Sequence, residues 1–234
     1  MKKVHLKLLK ILNSMSKSSR SDHNLEPAKV EFDRWIAKAN EIDDLKVLEV
    51  GSRNVTGHIG HKSFPKATEY VGMDVLPGEN VDIVGDAHAL SSLVPNNHFD
   101  VVYSVAVFEH LMFPWKAAME INRVLKPGGY VFTITHPAWP EHEMPWDFWR
   151  FPKNAFRGLF NPITGFELLA SDEGLGMRPI ALTTDPAMQD MYKHKLNGVV
   201  FSVARKTGPY DKSKLKWDLV PGDVSEDMYP SPKQ

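Results

Sequence analysis

Lys46-Val47-Leu48-Glu49-Val50-Gly51-Ser52-Arg53-Asn54-Val55-Thr56-Gly57 is the stretch on which the fold turns. Its apolar run, Val47 to Val50, stops abruptly at a glycine turn. A strand buried on both faces reads this way when it delivers a loop to a ligand. A second segment, Tyr70-Val71-Gly72-Met73-Asp74, also closes on an acid. Strand, glycine turn, helix, then a strand ending in a carboxylate is the sequence form of a nucleoside site. The turn lets backbone approach the ligand, and the carboxylate accepts hydrogen bonds from ribose hydroxyls.

The alternation continues downstream. Val84-Gly85-Asp86-Ala87-His88-Ala89-Leu90 follows a third short apolar segment, and Phe99 to Val105 reads as a fourth strand. Phe108-Glu109-His110-Leu111 comes next, then a helical run. Arg123-Val124-Leu125-Lys126-Pro127-Gly128-Gly129 feeds a fifth strand, Tyr130 to Thr135. Alternating strands and helices imply a parallel sheet covered on both faces, with ligands at the carboxyl ends of the strands. Glu49, Gly51, Asp74, Asp86 and Ser104 all fall at or just beyond such ends.

The pieces LEVGS, VGMD, GDAHAL, FDVVYS, FEHL and RVLKPGGYVF, in this order, resemble the class I S-adenosylmethionine-dependent methyltransferases of the type 11 kind. The resemblance covers residues 45–135 and extends to the strand near residue 205. It implies an α/β, Rossmann-like fold: a seven-stranded, mostly parallel sheet flanked by helices. It also implies S-adenosylmethionine as cofactor and methyl transfer to a small-molecule or glycan acceptor, with a hydroxyl favoured. A non-catalytic cofactor-binding partner subunit and an NAD-dependent oxidoreductase are the rival readings; the missing G-x-G-x-x-G argues against the latter. One departure stands out. Arg53 and Val55 occupy the positions of the family's second and third glycines. A β-branched residue does not take positive φ comfortably, so Gly57 is expected to take over the strained position. Arg53 either pairs with the cofactor's carboxylate or points to solvent.

Residue by residue, the resemblance gives Asp74 the ribose hydroxyls, with Val75 beside it, and gives Asp86 and Ala87 the adenine. Either acid could instead serve as a helix N-cap. Glu49 is expected to order the Gly51-Ser52 turn through backbone N–H groups. Ser104 and Val105 are expected to pass the methionine portion. A hydroxyl acceptor must also lose its proton, which calls for a base tuned near neutrality, most often histidine. His110, His136 and His142 are the candidates, with His110 at least as readily a structural histidine bonded to backbone near a helix start. Some quinone O-methyltransferases carry a metal-binding E-x-x-E-H here, but Ala106 holds the first carboxylate's position. His58-x-x-His61 is too small a ligand set for zinc. No metal is therefore expected.

Composition bounds the rest. The chain has 234 residues, 42% hydrophobic and 24% charged, enough for one α/β domain with additions. A net charge of −1 speaks against nucleic acid as the main partner, and the absence of cysteine excludes disulfides and thiolate chemistry. No apolar run approaches the roughly 18 residues of a membrane span, and no signal peptide is read, so a cytoplasmic location is expected. Residues 1–44 divide into an amphipathic helix over 3–16, a linker from Ser14 to Asn24, and a second helix from Pro27 to Ile42. The first helix either packs on the domain or meets a partner or membrane surface. The domain proper spans 45–206. Within it, residues 136–162 form a proline-punctuated cap rich in Trp139, Trp146, Phe148, Trp149 and Phe151. These rings suit a hydroxylated acceptor such as a sugar, or form a satellite core. HEMPWDFWRF, from His142 to Phe151, resembles a segment of methyltransferases of surface-polysaccharide biosynthesis. Gly165 to Ala170 is expected to approach a sixth strand, Asp185 to Lys195 to be helical, and Gly198 to Arg205 to be the last strand. Residues 207–234 are expected to be a flexible tail.

Overall fold

A computed structural model describes residues 26–214, apart from Thr56 and His58. The expected helix over 3–16, its linker and residues 215–234 of the expected tail lie outside the described residues. The elements are α1 (Pro27–Ala39), β1 (Lys46–Val50), β2 (Glu69–Asp74), β3 (Ile83–Val84), α2 (Leu90–Leu93), β4 (Phe99–Val105), α3 (Pro114–Val124), β5 (Leu125–Thr135), α4 (Ala155–Leu159), β6 (Phe166–Met177) and β7 (Leu196–Lys206).

The seven strands form one sheet in the order β3-β2-β1-β4-β5-β7-β6. Strands β1 to β5 pair in parallel, and β7 runs antiparallel to both of its neighbours. The chain turns outward in opposite directions from β1 and β4, which opens a crevice at their carboxyl ends. Alternation of side chains loads both faces. Leu48, Val50, Val102 and Val131 pack with Leu90 of α2, Ile121 of α3 and Phe156 of α4. Val47, Val101, Tyr103 and Phe132 pack with Ala28, Phe32 and Ala39 of α1. This is why the strands read as continuous apolar runs.

Local chemistry sets the element ends. Pro27 and Pro114 open α1 and α3, where their missing N–H has no intrahelical acceptor anyway. α1 stops at Ala39, short of Ile42, because Asn40 closes it: both its backbone N–H and its side-chain amide donate to Ile36 O. In β5, Leu125 pairs with Phe99 and Tyr130 with Val101, so Lys126-Pro127-Gly128-Gly129 loops out between them. Gly128 takes φ +84°, a glycine conformation, and Lys126 Nζ donates to both Asp100 oxygens at 2.8 Å.

Three expectations need correction. Asp185 to Lys195 is not a helix but two short 3₁₀ turns, Pro186–Met188 and Met191–Lys193. None of their residues is buried, so no apolar stripe rewards a longer helix. The sixth strand is longer than expected, because β6 and β7 keep pairing out to Met177 and Leu196. The first residues of the expected tail are tied down: Thr207 N–H donates to Gly165 O at 2.9 Å, and Asn122 Nδ2 to Gly208 O at 2.8 Å. Among the described residues, no helix is long and apolar enough to cross a membrane.

Candidate active site

A cavity of about 660 Å³ lies at the carboxyl ends of β1 to β5. Its volume is in the range of small-molecule sites. A smaller cavity, about 420 Å³, lies between α1 and the β6-β7 edge and shares no lining residue with it.

One end of the main cavity is built from the turns after β1, β2 and β3. Gly51 and Ser52 donate their N–H groups to Met73 O at 2.8 and 3.1 Å, which binds the first turn to β2. Gly51 has φ +82°, and a Cβ there would stand 2.1 Å from Val107 Cγ2, so only glycine fits. Gly57 takes φ +83° as expected, and Val55 is spared it. Arg53 does not point to solvent: its side chain is 24% exposed, runs beside Gly78, and brings Nε to 3.5 Å from Asp74 Oδ1. Asp74 also accepts from Leu76 N–H at 2.9 Å, which fixes its rotamer.

Glu49 lines the cavity, but its partner is the Tyr70 hydroxyl at 2.7 Å rather than loop N–H groups. Burial raises the Glu49 carboxyl above its ordinary range, and the Tyr70 hydrogen bond only partly offsets it. Asp86 and Ala87 follow β3, and Val75 follows β2; all three line the cavity. Asp86 Oδ1 accepts the His88 N–H at 2.8 Å and lies 2.6 Å from His88 Nδ1. His88 Nε2 accepts from Phe113 N–H at 3.1 Å, so the ring hydrogen sits on Nδ1 and points at Asp86. Burial pushes the Asp86 carboxyl up, but the His88 bonds outweigh it and hold it below its usual range. His88 itself was not legible as a site residue. Ser104 is a correction: it is fully buried within the sheet, in register with Val50 and Thr133, and does not line the cavity. Neighbouring strand residues face opposite sides, and Val105 is the one that reaches the cavity.

The other end gathers His110, His136 and His142 with Trp139 and Trp146. Ala106 ends β4 with φ +53°, an unusual value for a non-glycine residue, and turns the chain into the Phe108–His110 segment. The rings of His110 and His142 are 4.8 Å apart, and His136 stacks on Trp139 at 4.7 Å. Each histidine is oriented by a main-chain carbonyl. His110 Nδ1 bonds Trp146 O, His136 Nδ1 bonds Gly198 O at 2.8 Å, and His142 Nδ1 bonds Pro140 O at 3.1 Å. A carbonyl only accepts, so Nδ1 carries a hydrogen in each ring, and in the neutral ring Nε2 carries the lone pair.

Glu109 ties this end together. It is fully buried; Oε2 accepts from Thr135 Oγ1 at 2.5 Å, and its main-chain oxygen accepts from Phe148 and Trp149 N–H. Oε1 has no hydrogen bond and stands 3.5 Å from His136 Nε2. Asp147 makes a two-pronged pair with Arg150 at 2.6 and 2.7 Å and accepts the His142 N–H at 2.9 Å. The guanidinium brings the Asp147 carboxyl down to about 2. The cap is both a core and a lining. Phe151, Phe156 and Phe160 join the main core, while Trp139 and Trp146 face the cavity. Trp149 does neither: it lies against Trp115 at 5.9 Å, 38% exposed.

Residues 51–133 match the methyltransferase domain family. The chain is 37% identical over 144 residues to 2-methyl-6-phytyl-1,4-hydroquinone methyltransferase from Synechocystis, a match covering 53% of this chain and 44% of that protein. The chain thus spans less than half the length of this relative. Among solved structures, YcgJ from Bacillus subtilis superposes with a TM-score of 0.54 at 18% identity, over 76% of this chain and 97% of that one. A S-adenosylmethionine-dependent methyltransferase from Archaeoglobus fulgidus gives 0.52 at 14% identity, over 83% and 99%. The [4+2]-cyclase SpnF gives 0.51 at 17% identity, over 82% and 85%, so this fold by itself does not fix a chemistry. The methyltransferase-domain match, however, begins at Gly51 and takes in β2, β3 and β4, whose ends help build the cavity.

Proposed function

We propose that this protein transfers a methyl group from S-adenosylmethionine to a hydroxyl on a ring-shaped acceptor held under the cap. The observation that carries this reading is one continuous cavity with two chemically different ends. Asp74 would hold the ribose, with Arg53 at its side. Asp86 and Ala87 would meet the adenine, and Gly51, Ser52 and Val105 would flank the methionine portion. Glu49 would support this end through Tyr70. At the other end, Trp139 and Trp146 offer flat faces to a ring, and His110, His136 and His142 offer imidazole nitrogens to a hydroxyl proton.

The sulfonium is already a good leaving group, so the protein's work is placement and exclusion of water. Bound in this cavity, S-adenosylmethionine would supply the methyl group, its carbon–sulfur bond breaking as the acceptor oxygen–carbon bond forms, with S-adenosylhomocysteine as the leaving group. The hydroxyl proton passes to an imidazole nitrogen, and the Nδ1–H···O=C bond stabilises the imidazolium that forms. The Synechocystis relative is named for a hydroquinone, an aromatic ring bearing hydroxyls. The cap's resemblance to enzymes of surface-polysaccharide biosynthesis favours a saccharide. Both acceptors present a hydroxyl on a ring.

Calorimetry with S-adenosylhomocysteine and with NAD, followed by a labelled-methyl screen over hydroquinones and saccharides, tests the reading. Tight S-adenosylhomocysteine binding with turnover on one class is expected. Preference for NAD would overturn it. Binding without turnover on any hydroxylated ring would favour a non-catalytic partner subunit.

A further inference from the structure

We propose that Glu109, His110 and His142 form a binding site for one divalent transition-metal ion of the zinc type, at the cap end of the cavity. One ligand atom from each lies within 4.8 Å of the others. A tetrahedral zinc site, with bonds of about 2 Å, sets its donors about 3.3 Å apart, so the set needs only a modest contraction. His142 can supply it, since it lies on the cap loop rather than in the sheet.

Glu109 provides the independent reason. Its side chain is fully buried, and Oε1 faces the cluster with no hydrogen-bond partner. A buried carboxylate oxygen without a donor is costly. Its nearest imidazole makes no hydrogen bond to it. His136 Nδ1 donates to Gly198 O, and Nε2 stands 3.5 Å from Glu109 Oε1. With a neutral ring two acceptors face one another, and a cation belongs beside them. Arg150 is committed elsewhere: its guanidinium is spent on Asp147 and on the carbonyls of Trp139, Pro140 and Trp149.

The outer contacts are those that metal-binding histidines use. Nδ1 of His110 and of His142 is held by a main-chain carbonyl, and Asp147 Oδ2 stands 3.5 Å from His142 Nδ1. Such partners fix the tautomer and aim Nε2 at the ion. Two imidazoles and one carboxylate favour zinc and its first-row neighbours over magnesium or calcium, which prefer oxygen-only sets. Three protein donors leave a coordination position open, as in catalytic rather than structural sites. An acceptor hydroxyl bound there would be acidified. That use rests on the methyl-transfer reading; metal binding itself does not. Ala106, in the position of the E-x-x-E-H motif's first carboxylate, told against a metal from the sequence alone. The cap brings His142 in as the third donor.

The test uses untagged full-length protein, stripped with chelator and titrated with Zn²⁺ by calorimetry. Parallel Co²⁺ titration reads visible d–d absorption. One Zn²⁺ per chain is expected, with cobalt bands of a low-coordinate nitrogen–oxygen site. Glu109→Gln, which keeps the shape beside Thr135, and His142→Ala should each weaken Zn²⁺ binding by about 100-fold or more. His194→Ala, at an exposed position, should not change it. S-adenosylhomocysteine affinity and circular dichroism report whether each variant is folded. Absence of a stoichiometric Zn²⁺ site overturns the proposal, as does undiminished Zn²⁺ affinity in folded Glu109→Gln. Zinc failure with S-adenosylhomocysteine still bound removes the ion and leaves the methyl-transfer reading intact. The converse result removes that reading and keeps the metal site.

Discussion

The two ends of the cavity are built on different principles. At the end proposed to hold the nucleoside, Gly51, Asp74 and Asp86 each stand at or within two residues beyond the end of a parallel strand. They are held by bonds within their own turn or to the adjacent strand, as Gly51 N–H is to Met73 O and Asp74 is to Leu76 N–H. At the cap end, His110 comes from the turn after β4, and His136 and His142 come from the start and the loop of the cap. They are held by main-chain carbonyls belonging to still other residues, Trp146, Gly198 and Pro140. The first end is a property of the sheet, and the second is a property of assembly. On the proposed reading, cofactor recognition can be kept while acceptor recognition changes, because among the described residues no cap residue joins the hydrogen bonds that shape the first turns.

The largest test of this contrast is Phe156→Ala. Phe156 is fully buried and belongs to the same core as Leu48 and Val50. The loss should be about 3–5 kcal/mol in a single cooperative unfolding transition. Two separate transitions in calorimetry would break the comparison, since the cap would then be an independent unit merely resting on the sheet.

Asp74→Ala comes next. It should weaken S-adenosylhomocysteine by about 1.5–3 kcal/mol, the scale of hydrogen bonds to a charged group. It also strips Arg53 of its neighbour at 3.5 Å. Unchanged affinity by titration calorimetry would mean that the ribose is not held at the end of β2.

Trp139→Ala should raise the acceptor KM about tenfold, the scale of a stacking contact, and leave S-adenosylhomocysteine affinity within about twofold. Trp149→Ala, outside the cavity, should change neither. If the two variants behave alike in steady-state kinetics, the division of the cap into lining and exterior is wrong.

The smallest effect is expected from Asp147→Asn, about 1 kcal/mol, because Asn keeps one oxygen to accept from Arg150, whose side chain is 25% exposed, although that of Asp147 is buried. Arg150 holds the folded Asp147 at about 2, below its ordinary value of about 3.9. The carboxylate therefore stabilises the fold fully above about pH 4, and that stabilisation is lost as pH falls toward 2. The stability gap between parent and variant should close over that window in denaturant titrations. A gap independent of pH would show that the pair does not hold the cap.

How much was legible follows the same division. Val47 to Val50 with Gly51, and Met73 with Asp74, announce their places at the strand ends within a few residues, because a strand end and its turn are local events. LKPGG was readable for the same reason, since the looped-out Gly128 needs a conformation that other residues avoid. Ser104 was misplaced because a motif gives a strand's end without giving the side on which its penultimate residue emerges. His88 escaped notice because its role depends on Phe113 N–H, 25 residues on at the start of α3. Glu49 was read as a loop organiser because its true partner, the Tyr70 hydroxyl, lies on another strand. The continuous apolar runs, the glycine turns and the strand-end acids determined the sheet and the place of the cavity's first end by themselves, since short-range sterics and burial leave such patterns few alternatives. The meeting of Glu109, His110, His136 and His142 was decided only by the tertiary structure. A proline-rich cap has no period that says where it lands, and it lands where Phe151, Phe156 and Phe160 find the core.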